Sequence, residues 1–154
     1  MTPSERLLEA RLLLVDDEPA NLALLDAVLR REGYRAIERV ADPNEAVARH
    51  LAFGSDLIVL DLMMPGVDGY ALLDALHRLT PADALMPILV LTADTTIDAK
   101  RRALSLGAKD VMTKPFDVFE LALRVGNLLE MRFLVERLRI AAVLPDDGAL
   151  TIRD

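Results

Sequence analysis

The sequence predicts an α/β fold in which a doubly wound, five-stranded parallel sheet alternates with five helices. Two observations carry this prediction. Three near-continuous apolar runs, Leu12-Leu13-Leu14-Val15, Leu57-Ile58-Val59-Leu60 and Ile88-Leu89-Val90-Leu91, with a weaker one at Val111-Met112-Thr113, have the length and composition of strands buried on both faces. Stretches of helical periodicity separate them, the alternation that builds a parallel sheet with helices on both sides. A third observation concerns function. Asp16, Asp17, Asp61, Thr92 and Lys114 each stand at the C-terminal end of one of these runs, and open parallel sheets bind ligands outside the carboxyl ends of their strands. Residues far apart in sequence are therefore expected to converge.

The first strand spans roughly residues 11–15, and the Asp-Asp-Glu-Pro sequence after it turns into a helix over about residues 21–32. That helix puts Leu22, Leu25, Val28 and Leu29 on one face and ends at Gly33. Residues 34–40 form a more exposed strand. Asp42-Pro43-Asn44 opens a helix carrying Ala46, Val47 and Leu51, which Gly54-Ser55 breaks. After the third strand comes the loop from Asp61 to Gly69, then a helix with Leu72, Leu73, Leu76 and Leu79. Strand four covers residues 87–92, and a helix over about residues 97–106 stops at Gly107. The short fifth strand ends at Lys114-Pro115, and Asp117 with Glu120 reads as a capping box for the last helix.

That last helix meets no proline until Pro145 and carries Leu121, Leu128, Met131, Val135, Leu138 and Ala142, spaced by alternating threes and fours past Leu128. Three or four turns suffice to cover the sheet, so the remainder is expected to expose an apolar seam. Arg132, Glu136, Arg137 and Arg139 flank it, and the expectation is a homodimer through the extended helix. The competing reading folds this helix back on its own domain. The organisation expected is an N-terminal extension over 1–10, one domain over 11–129 and a C-terminal helical extension or linker over 130–154.

The chain has 154 residues, net charge −7 and pI about 4.8, which disfavours direct nucleic-acid binding, since phosphate attraction needs a basic face. No cysteine is present, so a disulfide framework and a thiol nucleophile are excluded. The longest apolar run is far short of a membrane span and the N-terminus lacks an apolar signal core. A cytoplasmic protein is expected.

Adjacent acids after a buried strand repel each other unless a cation faces them. Oxygen ligands in a small site suit Mg²⁺, with Asp17 and Asp61 as direct ligands. Lys114 adds a positive charge and Thr92 a hydroxyl, a set matched to a phosphoryl group on a carboxylate, and Asp61 is the best-placed nucleophile. For an isolated pair, Asp16 and Asp17 would be read as acids complementing a helix dipole. Their companions reverse that. His50 and His77 are expected on helix surfaces without a role.

Leu-Leu-Val-Asp16-Asp17, Val-Leu-Asp61-Leu-Met-Met-Pro65-Gly-Val-Asp-Gly69, Leu-Thr92-Ala93 and Lys114-Pro115-Phe116 together resemble the receiver domain of two-component response regulators, over about residues 11–129. The resemblance implies the flavodoxin-like strand order 2-1-3-4-5. It implies phosphorylation of Asp61 by a sensor histidine kinase or a histidine phosphotransfer protein. The further implied roles are the Met63 backbone carbonyl as a metal ligand, Asp16 as a ligand through water, and a Lys114-Pro115 peptide bond that is commonly cis. A receiver catalyses only its own phosphorylation and dephosphorylation and is not otherwise an enzyme. Many receivers carry an aromatic residue where this chain has Val111, so switching here is expected to run through Thr92 and Ala93.

Three rival readings each meet a specific obstacle in the residues. A haloacid-dehalogenase-like phosphatase needs Asp-x-Asp after the first strand, where this chain has Asp16-Asp17-Glu18. A flavin binder needs a phosphate cradle there, which three acids would repel. A degenerate receiver serving only as an interaction module is opposed by intact Asp17, Asp61, Thr92 and Lys114.

Overall fold

The computed structural model describes residues 2–143; the rest of the predicted C-terminal extension, with Pro145, lies outside the described residues. Five strands, β1 (Arg11–Val15), β2 (Ala36–Val40), β3 (Leu57–Asp61), β4 (Ile88–Thr92) and β5 (Asp110–Thr113), form one sheet in the order β2-β1-β3-β4-β5. All neighbouring pairs are parallel. Because side chains alternate across a strand, each buried run feeds two cores. Leu12, Leu14, Leu57, Val59, Leu89, Leu91 and Met112 enter one layer, under α2 (Pro19–Arg31) and α6 (Val118–Val143). Leu13, Val15, Ile58, Leu60, Ile88, Val90 and Val111 enter the other, under α3 (Ala46–Phe53), α4 (Gly69–Arg78) and α5 (Ile97–Ser105).

Register places the site. Val15 lies opposite Leu60, Asp61 opposite Leu91 and Thr92 opposite Thr113, so four strands end level at one edge of the sheet. The first residues after β1 and β5, Asp16 and Lys114, fall on that edge beside Asp61 and Thr92.

The five predicted strand and helix pairs are all present, preceded by an additional short helix, α1 (Pro3–Leu8). Thr2 and Glu5 form its reciprocal capping box, each side chain accepting the other's backbone N–H at 3.1 Å. Leu7 and Leu8 then pack against the core. A 3₁₀ turn, Pro43–Glu45, leads into α3, and α2 starts two residues earlier than expected, with Pro19 in its first turn, where a missing N–H costs nothing.

Two expectations fail here. Asp117 accepts the Phe119 N–H at 2.8 Å, but Glu120 does not reach back to complete a capping box, because Arg124 holds it at 2.7 Å and also binds Asp110. His50 is not a surface residue: one helical turn after buried Ala46, it shares that inward face and is 8% exposed.

The long α6 is gripped further along than predicted. Leu121, Val125, Leu128 and Leu129 are buried and Phe133 packs against the same layer, yet Arg132 is also turned onto its own domain, 3.0 Å from Asp56. Met131, Leu134, Leu138 and Ile140 stand exposed, whereas Val135 is half-buried. The predicted seam is thus displaced at Val135, with Leu134 outward instead.

Candidate functional site

At the end of β1, Asp16 is 1% exposed, and its N–H donates to the Val40 carbonyl at 3.1 Å, tying it to β2. One carboxylate oxygen, Oδ1, accepts the Glu18 N–H at 2.9 Å. The other, Oδ2, is buried and accepts no hydrogen bond from the described residues. Burial pushes the Asp16 carboxyl above the ordinary carboxylate range; the Glu18 N–H opposes this, the Asp61 charge adds to it, and Lys114 and Asn21 oppose it. Asn21, in the first turn of α2, is a contributor that sequence reasoning did not single out.

Asp61, at the end of β3, is also buried. Its Oδ1 accepts the Met63 N–H at 3.1 Å and lies 3.2 Å from Lys114 Nζ, which stands 3.8 Å from Asp16 Oδ2. Carboxylate oxygens of Asp16, Asp17 and Asp61 lie within 4.8 Å of one another, Asp17 being the partly exposed member. Three acids thus face one lysine. A buried oxygen lacking a donor, inside a cluster of hard oxygen ligands, is the donor set that suits a small divalent cation, so the residues fit Mg²⁺.

Thr92 ends β4, buried, with its carbonyl accepting the Lys114 N–H at 2.8 Å and its hydroxyl accepting the Asp94 N–H at 3.1 Å. Asp94 is exposed and turned toward α5: it accepts the Thr96 N–H at 2.9 Å, which holds its carboxyl below the usual range. Thr96 in turn caps Ala99. Ala93 is exposed at the same rim, while Val111 is buried below it, lining a cleft of about 320 Å³ with Thr96, Lys100, Glu120 and Arg124. The Lys114-Pro115 peptide bond is cis.

The loop after β3 is shaped by Gly69. A Cβ there would lie 2.8 Å from Leu62 Cα and 2.9 Å from its carbonyl carbon, so only glycine lets α4 start against this backbone. Met64 is buried as packing, whereas Met63 points to solvent, 55% exposed. The structure therefore gathers Asp16, Asp17, Asp61, Thr92 and Lys114 at one edge, with Met63 and Ala93 on its rim and Val111 beneath.

A family model, the response regulator receiver domain, matches residues 12–126. The chain belongs to this family. Among curated relatives, the receiver is 40% identical over 144 residues to the transcriptional regulatory protein TrcR of Mycobacterium tuberculosis, covering 94% of this chain and 52% of TrcR. It is 35% identical over 142 residues to the DNA-binding dual master transcriptional regulator RpaA of Synechocystis, covering 92% of this chain and 58% of RpaA. The chain thus spans about half the length of the curated relatives it matches. Its structure is similar to the Francisella response regulator 1452 receiver domain, with TM-score 0.72 and 28% identity over 80% of this chain and 98% of that one. No helix among the described residues is long and apolar enough to cross a membrane.

Proposed function

We propose that this receiver domain accepts a phosphoryl group on Asp61 from a phosphohistidine, carried by a sensor histidine kinase or a histidine phosphotransfer protein. The observation that carries the reading is Asp61 itself: a buried carboxylate at the edge of the sheet, fixed by the Met63 N–H and 3.2 Å from Lys114. In the step, an Asp61 oxygen forms a bond to phosphorus as the donor's P–N bond breaks and its imidazole leaves with that electron pair. Asp61 and Asp17 would be the direct ligands for Mg²⁺, with Asp16 reaching it through water and the Met63 carbonyl completing the protein's share. The bound ion supplies positive charge against the oxygens of the transferred group. Lys114 neutralises an equatorial oxygen and the Thr92 hydroxyl, whose oxygen accepts the Asp94 N–H, donates its O–H to another.

Dephosphorylation returns the carboxylate, so the domain catalyses only its own modification and acts as a cytoplasmic switch. Thr92 and Ala93 moving toward the phosphoryl group shift a two-state equilibrium, read out by pairing of two chains through the exposed part of α6. The names of TrcR and RpaA support a parent protein with a transcriptional output, in which case nucleic-acid contact belongs to a different domain, as this chain carries a net charge of −7. The units are the receiver over 11–129, a short N-terminal extension and a helical connector from residue 130.

The test is phosphotransfer from radiolabelled, autophosphorylated histidine kinases and phosphotransfer proteins, with and without Mg²⁺. Label moves to the wild type only with Mg²⁺ present and does not move to Asp61→Asn. A domain that takes no label from any phosphohistidine donor, yet binds its partner normally, is instead a degenerate receiver.

A further inference from the structure

The second half of α6 is held by the floor of its own domain, the sheet edge opposite the acidic site. Arg132 Nε lies 3.0 Å from Asp56 Oδ1, with both side chains 18% exposed, and Arg132 Nη1 donates to the Leu85 carbonyl at 2.6 Å. Asp56 is itself fixed, accepting the Arg11 N–H on its other oxygen at 2.8 Å and donating its own N–H to the Arg11 carbonyl at 2.8 Å. Two turns on, Arg139 stands 3.4 Å from Asp83. The loops before β3 and β4 therefore grip α6 at positions seven apart, which share one helix face.

The clasp holds the same rotation of the helix that buries Leu129 and packs Phe133 against the core, and it does so beyond the last fully buried turn. With it closed, Met131, Leu134, Leu138 and Ala141 all stand outward, the first three 42%, 54% and 62% exposed, as do Ile140 and Ala142, so the two positions that differ in exposure are 134 and 135. The spacing of three, four and three from Met131 to Ala141 is the a/d alternation of a two-stranded seam. A second stripe, Met131, Val135, Leu138 and Ala142, has the same alternation and differs by one residue at two positions. The sequence permits both. The clasp separates them by holding Val135 half-buried and keeping Arg132 and Arg139 out of the first seam; turning to the second brings both arginines to its margin.

We propose that the Arg132–Asp56–Leu85 clasp selects the register in which α6 pairs with α6 of a second copy of this chain: through Leu134 when closed, through Val135 when open. This rests on the pairing reading above. A second copy is the fitting occupant because an uncharged stripe with this alternation is complementary to itself about a two-fold axis, residue against like residue in a parallel pair.

The chain has no cysteine, so single cysteines report the seam directly. Leu134→Cys and Val135→Cys are placed in the full chain, alone and together with Asp56→Asn or Arg132→Met, and oxidised with copper phenanthroline. Circular dichroism confirms folding, and Arg132→Met, which keeps an apolar stem along the same path, carries the test if Asp56→Asn does not fold. The expected result is preferential cross-linking at 134 with the clasp intact, and a fall in the 134-to-135 ratio of roughly tenfold in either clasp variant. An unchanged ratio overturns the inference. Met131→Cys and Leu138→Cys belong to both registers: if they cross-link while neither 134 nor 135 does, the inference fails and the pairing stands, and if none of the four cross-links, both fail.

Discussion

Neutralising Asp16 without changing its shape should stabilise the metal-free domain. The carboxylate is buried, faces Asp17 and Asp61 within 4.8 Å, and has one lysine at 3.8 Å as compensation. At the effective dielectric near 20 that suits such sites, each repulsion is worth about 3 kcal/mol and the lysine attraction about 4 kcal/mol, leaving about 2 kcal/mol of net strain. Asp16→Asn keeps the oxygen that accepts the Glu18 N–H and removes the charge from the buried, unpartnered Oδ2 position. In chelator at neutral pH, its melting temperature, followed by circular dichroism, should exceed wild type by about 4–8 °C, the shift that such an energy produces in a domain of this size. Added Mg²⁺ should reverse the order. A ligand at a hundred times its Kd stabilises by about 2.7 kcal/mol, and the wild type should gain more of this than the variant. An Asp16→Asn protein that melts below wild type in chelator would refute the claim that uncompensated acid repulsion is stored at this edge.

Gly69→Ala forces a Cβ into the Leu62 backbone and should cost about 2–3 kcal/mol, read as a lower denaturation midpoint; an unchanged midpoint would mean that the loop yields freely. His50 is held below its ordinary value of 6.5, first by burial and then by the Arg132 charge. Between its folded value and 6.5 it is therefore neutral in the fold and takes up a proton on unfolding. Its influence is nil above pH 6.5, and stability falls as pH drops from there toward the folded value, at no more than about 1.4 kcal/mol per pH unit; His50→Gln should flatten that part of the urea-stability profile, and an identical slope would show that other groups set it. Thr92→Ala should still be phosphorylated but lose the change in sedimentation that phosphorylation brings, and normal coupling would remove Thr92 from the route.

The strands and the acidic edge were legible because both signals are local. A double-buried strand such as Leu57–Leu60 reads as an unbroken apolar run, and the parallel register then brings the residues after each run to one edge without any further information. The N-terminal helix was also legible in principle, as Thr2-x-x-Glu5 is a capping-box pattern followed by Leu7 and Leu8, but six residues are too few for periodicity to stand out. His50 could have been placed from its spacing to Ala46. What no local pattern contains is the pairing of Arg132 with Asp56, 76 residues apart. With that contact made, Leu134 faces solvent and Val135 is half-buried, a choice that the alternating spacing alone leaves open. Glu120 failed as a cap for a similar reason: Arg124, one turn along, competes for it and is itself anchored across the fold by Asp110.

Phosphorylation of Asp61 is the claim on which the functional reading stands, and intact-mass spectrometry after incubation with acetyl phosphate and Mg²⁺ tests it most directly. The wild type should gain the mass of one phosphoryl group, located to the peptide containing Asp61, and should gain none in chelator or as Asp61→Asn. Equal mass gain by Asp61→Asn, or undiminished gain in chelator, would contradict the assignment of the acceptor or of the metal dependence.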